Sequence, residues 1–131
     1  MYMKKQFNLI KEFKTYTDGW DSYDGNKPKA ESLSLSEWFL LEFDQILKNK
    51  CPSYCRHYPE FSLAPDGVLG FEWDYAPDKN LFARLHSIDK VEVIIREKTS
   101  KSNPKVNIVD RKKFIQICKD KLKECEENIR K

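Results

Sequence analysis

The sequence predicts an α+β fold with two N-terminal helices, a four-stranded antiparallel meander and a C-terminal helix packed on the sheet. Three observations carry this expectation. Apolar residues recur at helical spacing through Trp38, Phe39, Leu41, Phe43, Ile46 and Leu47. Between residues 61 and 96 the period shortens to two. Behind Asp110 helical spacing returns through Phe114, Ile115, Cys118, Leu122, Cys125 and Ile129. The chain has 131 residues, 40% of them apolar and 17 aromatic, which is enough to bury one core, so residues 1–131 are expected to form a single domain.

Residues 7–13 form the first expected helix, amphipathic and stopping before Asp18-Gly19. A connector follows in which Asp21, Asp24, Gly25 and Pro28 all favour turns. Ser34-Leu35-Ser36-Glu37 has the spacing of a capping box, which places the start of the second helix there; Pro52 ends it, and residues 51–60 are expected to be a loop. Pro65-Asp66-Gly67 is a hairpin signal between residues 61–64 and 68–75. In the second of those runs Leu69, Phe71, Trp73 and Tyr75 alternate with Gly70, Glu72 and Asp74. Leu81, Ala83 and Leu85 alternate with Phe82, Arg84 and His86, and Val91, Val93 and Ile95 with Glu92, Ile94 and Arg96. One apolar sheet face covered by helices satisfies all of these patterns. Residues 106–109 are read as a brief extended piece leading to Asp110, the candidate N-cap of the last helix.

No run approaches the roughly 18 consecutive apolar residues that a membrane helix needs, and no apolar signal core follows Lys4-Lys5, so a cytoplasmic protein with no membrane partner is expected. Its four cysteines are then thiols. The net charge of +3 is uneven: residues 89–131 hold 13 Lys/Arg against 8 Asp/Glu, a balance of +5, and residues 1–88 hold 11 against 13, a balance of −2. Such asymmetry suits two surfaces with different partners.

Several residue groups could carry chemistry. Cys51, Cys55 and His57 lie within seven residues, and Cys118 or Cys125 could add a fourth metal ligand. The second pair lacks the short spacing of structural zinc sites, so buried packing is the preferred reading and no metal or cofactor is expected. No recognised nucleophile signature surrounds any cysteine, and no phosphate-cradling or dinucleotide-binding glycine pattern is present. Asp18, Asp21 and Asp24 fall three apart rather than two, which suits Asx turns better than a calcium loop.

The solvent side of the sheet would present Glu72, Asp74, Phe82, Arg84, His86, Glu92, Ile94 and Arg96 together. A ladder of opposite charges accounts for most of this set. Exposed Phe82 and Ile94 on a nominally wet face point instead to a contact surface for another macromolecule. Glu72, Asp74 and His86 would be the acid–base set of a small hydrolase or nuclease. Arg111, Lys112, Lys113 and Lys119 would be the contacts of a nucleic-acid-binding helix, although acidic residues interrupt the basic run.

Gly19-Trp20-Asp21-Ser22-Tyr23-Asp24-Gly25 and Ala64-Pro65-Asp66-Gly67-Val68-Leu69-Gly70-Phe71-Glu72-Trp73 resemble a group of small bacterial and phage proteins. That group reads G-W-D-x-Y-G before a helix and P-D-G-x-V-x-x-E-W in a hairpin, and has no established activity. Here Asp24 stands before the second glycine of the turn. The resemblance spans about residues 17–75 and implies an aromatic cluster of Trp20, Tyr23 and Trp73, with Asp21 and Glu72 as the polar residues to test. It also implies an accessory protein of mobile or phage-like genes. The functional expectation is a non-enzymatic module that binds a protein partner, of inhibitor, antitoxin or immunity type; a nucleic-acid-associated protein is the alternative and a small hydrolase the third reading.

Overall fold

The computed structural model describes residues 3–49, 59–97 and 103–130. Among these residues the order is α1 (Lys4–Phe13), α2 (Ala30–Asn49), β1 (Glu60–Leu63), β2 (Leu69–Ala76), β3 (Lys79–Ser87), β4 (Lys90–Glu97), β5 (Val106–Val109) and α3 (Arg111–Arg130). The fold is α+β, as expected, and no helix of the described residues is long and apolar enough to cross a membrane.

The strands form one antiparallel sheet in chain order, β1-β2-β3-β4-β5. It has five strands rather than four, because the extended piece at residues 106–109 pairs with β4 as Val91↔Val109, Glu92↔Ile108, Val93↔Asn107 and Ile94↔Val106. Four residues are too few for alternation to declare a strand from sequence. Elsewhere the period of two holds in space: Leu69, Phe71, Trp73, Tyr75, Leu81, Ala83, Leu85, Val91 and Val93 are buried on one face.

Helices α2 and α3 cover that face around Phe39 of α2. Its ring lies 4.8 Å from Phe71 of β2 and 4.5 Å from Phe114 of α3, with Phe43 at 5.6 Å and Phe61 at 6.3 Å. Each ring contact of this kind adds only about 1 kcal/mol alone, but the shared hub holds both helices to the same strand pair. Asp110 caps α3 as expected: its Oδ1 accepts the Lys113 N–H at 2.8 Å, and its carbonyl accepts that of Phe114 at 3.0 Å.

Two helix starts differ from the sequence reading. Helix α1 begins at Lys4, three residues early, because buried Met3 anchors it by donating its N–H to Asp44 Oδ1 of α2 at 2.9 Å. Helix α2 begins at Ala30, so Ser34 lies inside it rather than at its cap, and Glu37 pairs with Lys14, the residue that follows α1. The serine that matters is Ser32, fully buried, whose hydroxyl donates to the Leu85 carbonyl at 2.5 Å and accepts the Leu69 N–H at 2.8 Å. Leu69 and Leu85 are directly opposed in the sheet, so one side chain of α2 fastens β2 to β3 from above.

The connector between α1 and α2 is seated on the β1–β2 turn. Asn26 donates its N–H to the Pro65 carbonyl at 2.7 Å, and Lys29 donates to that of Gly67 at 2.8 Å. Gly67 is required twice over: its φ is +84°, and a Cβ there would lie 2.5 Å from the Lys27 carbonyl oxygen. The connector keeps its own shape through Asp21, whose Oδ1 accepts the N–H groups of Tyr23 and Gly25, both at 3.0 Å, and through Asp18, which accepts that of Lys27 at 2.9 Å.

Candidate functional site

The sheet face that none of the described helices covers carries the eight residues that the alternation assigned to it. Across the strands run two rows, Glu72↔Phe82↔Ile94↔Val106 and Gly70↔Arg84↔Glu92↔Ile108. Asn80 and Arg96 pair beside the first row, and Asp74 joins them through the Asn80 amide. His86 joins the second row through Glu92.

The acids of this face are engaged internally. Asn80, itself buried, donates from Nδ2 to Asp74 at 2.8 Å and to Glu72 at 3.2 Å. His86 Nε2 lies 2.5 Å from Glu92 Oε1. Arg84 forms an ion pair with Asp66 of the β1–β2 turn. Burial alone would raise the Asp66 carboxyl, but hydrogen bonds from Arg84 and the Val68 N–H, with the charges of Arg84 and Lys29, hold it below the usual carboxylate value.

Phe82 and Ile94 are less open than the sequence suggested. Both are half-buried, because each sits on an interior strand with neighbours on either side, and the Arg96 guanidinium lies 5.8 Å from the Phe82 ring centroid. The exposed apolar surface lies one strand further on, at Val106 (52% exposed) and Ile108 (65%). Phe82, Ile94 and Val106 thus form a continuous apolar row that ends at the β5 edge, with Ile108 beside it. Sequence reasoning missed Val106 and Ile108, whose only signal was their alternation about Asn107.

The acid–base set is not brought together. Glu72 and Asp74 lie opposite Phe82 and against Asn80, whereas His86 is four residues beyond Phe82 along β3, about 13 Å at the usual strand rise of ~3.3 Å per residue. His86 is already engaged by Glu92.

Nor do Trp20, Tyr23 and Trp73 make one aromatic cluster. Tyr23 is 84% exposed, because the turn held by Asp21 directs it outward. Trp20 stacks on Tyr16 at 5.6 Å and donates from Nε1 to the Asn26 carbonyl. Trp73 is buried in the core, 5.3 Å from Phe43 and 5.6 Å from Tyr75. Asp21 is spent on backbone N–H groups, and a Cβ at Gly25 would meet its carboxylate at 2.6 Å, so this motif acts as a clip for the connector.

On α3, Lys112, Lys113 and Lys119 are exposed and have no ion-pair partner among the described residues, while Arg111 lies over the Trp38 ring at 4.7 Å. Cys118 is fully buried, and burial pushes its thiol well above its usual value, which keeps it protonated and inert. Cys51, Cys55 and His57 lie outside the described residues, within which no cluster of His, Cys, Asp and Glu could hold a metal ion. Tyr75 is pushed up to about 12 by burial and by the charges of Glu124, Glu97 and Asp78. No protein-family model, curated protein or solved structure matches the chain.

Proposed function

We propose that this chain is a non-enzymatic binding module that docks a protein partner on the uncovered sheet face, in the manner of an inhibitor or immunity-type accessory factor. The observation that carries the reading is the apolar row Phe82–Ile94–Val106 with Ile108 beside it, set among polar side chains engaged by Asp66, Asn80 and one another. Apolar area that no helix covers is stabilised by leaving water, and a partner supplies the cover. The separation of His86 from Glu72 and Asp74 favours binding over hydrolysis.

The test is affinity capture from native host lysate, with and without nuclease, using the wild-type chain and the Phe82→Asp, Ile94→Asp double variant. A stoichiometric protein captured after nuclease treatment by the wild type alone is the expected result. A partner retained equally by the double variant removes this face from the interaction. The exposed Lys112, Lys113 and Lys119 support a second reading, nucleic-acid association through α3; its signature is an affinity that falls steeply with added salt.

A further inference from the structure

The two edges of the sheet are finished differently. At β1 the Phe61 N–H donates to Gln6 Oε1 of α1 at 2.9 Å, and both residues are buried. At β5, Val106, Asn107 and Ile108 are exposed, and the strand Val-Asn-Ile-Val carries none of the charges or prolines that usually blunt an edge. An open edge strand offers unpaired backbone groups to an incoming strand, and its alternate side chains select what that strand carries.

The charge around β5 narrows the choice of strand. Lys105 precedes it; Arg111, Lys112 and Lys113 follow it. Lys105, Lys112 and Lys113 have no ion-pair partner among the described residues. The one acid in that stretch, Asp110, is occupied in capping α3. On the neighbouring face Glu92 is held by His86, and Glu72 and Asp74 by Asn80. Three exposed lysines flank β5 with no anionic partner among the described residues, so an acidic complement fits.

A second copy of this chain fits less well. It would bring the same unpaired lysines together. Nucleic acid would satisfy the lysines but not the apolar side chains or the backbone edge.

We infer that β5 is a strand-addition site for an extended acidic segment of a partner protein, whose alternate apolar side chains lie on Val106 and Ile108 while its carboxylates meet Lys105, Lys112 and Lys113. This deepens the sheet-face reading and rests on it.

The probe is a short fluorescent peptide of alternating valine and glutamate, titrated into the full chain and followed by anisotropy, with backbone hydrogen exchange as the second readout. Controls are the same peptide with lysine for glutamate and a short single-stranded DNA. The expected result is binding of the acidic peptide alone, with slowed exchange at residues 106–109. Val106→Lys with Ile108→Lys should weaken it about tenfold, although charge alone would strengthen it. Lys112→Glu with Lys113→Glu should weaken it as well. Absence of binding at about 1 mM peptide, the weak end of specific association, overturns the inference, as does tighter binding of the DNA. Binding that is lost only in the Phe82→Asp, Ile94→Asp variant, with β5 exchange unmoved, overturns strand addition and leaves the sheet-face reading standing.

Discussion

The sheet has one face closed by the chain and one left open. On the closed face, rings from α2, β1, β2 and α3 converge on Phe39, and Ser32 bridges β2 and β3 at the margin. On the open face the contacts are polar ones, Arg84 with Asp66 of the β1–β2 turn, His86 with Glu92 and Asn80 with Glu72 and Asp74, surrounding an apolar row that ends at an edge. The closed face holds most of the folding free energy, because burial of aromatic area outweighs partly exposed ion pairs, which contribute at most about 1 kcal/mol each. Substitutions on the open face should therefore cost the fold less than those on the closed one.

The largest expected break in this contrast is Phe39→Ala. Removing the hub ring should cost about 3–5 kcal/mol of unfolding free energy, read from urea denaturation, because neighbouring rings from four elements cannot all close the gap. Phe82→Asp on the open face should fall well below that in the same assay; equal losses would mean that the open face is structural.

Gln6→Ala comes next. It strips the buried Phe61 N–H of its acceptor, at a cost of about 1–3 kcal/mol. It should also speed hydrogen exchange at Phe61, making the β1 edge behave like β5. Unchanged exchange there would show that the side chain is not what closes that edge.

The smallest effect concerns pH. The Asp66 carboxyl is depressed in the folded chain, so its stabilisation is present in full above the unfolded value of 3.8 and is lost as pH falls below that value through the folded one. Asp66→Asn should lower stability slightly at neutral pH and converge with the wild type once pH falls through the folded value, flattening the acid limb; a loss confined to low pH would contradict the assignment.

The contrast between the faces was legible in the sequence wherever a pattern repeats. Alternation through β2, β3 and β4 assigned each side chain to its face, and the stripe from Phe114 to Leu122 marked the packed side of α3. What escaped depended on partners distant in the chain or on elements too short to show a period. Gln6 stands before the expected start of the first helix and belongs to no pattern, since its partner is 55 positions away. Ser34 matches a cap pattern that is equally compatible with a helix interior, while the start of α2 is set by Lys29 meeting Gly67. For β5, the four residues show an edge only once β4 lies beside them. The open face could be located from sequence, but its most exposed part could not.

The seating of the connector on the β1–β2 turn also has a bearing on folding. Asn26 and Lys29 find their carbonyl acceptors at Pro65 and Gly67, across the whole of α2 and β1. Those acceptors are in place only when the hairpin has turned, and Gly67 must hold its left-handed conformation to let Lys27 approach. The connector therefore reaches its final position only together with the turn in the middle of the chain, and bringing the two together closes a long loop at an entropic cost.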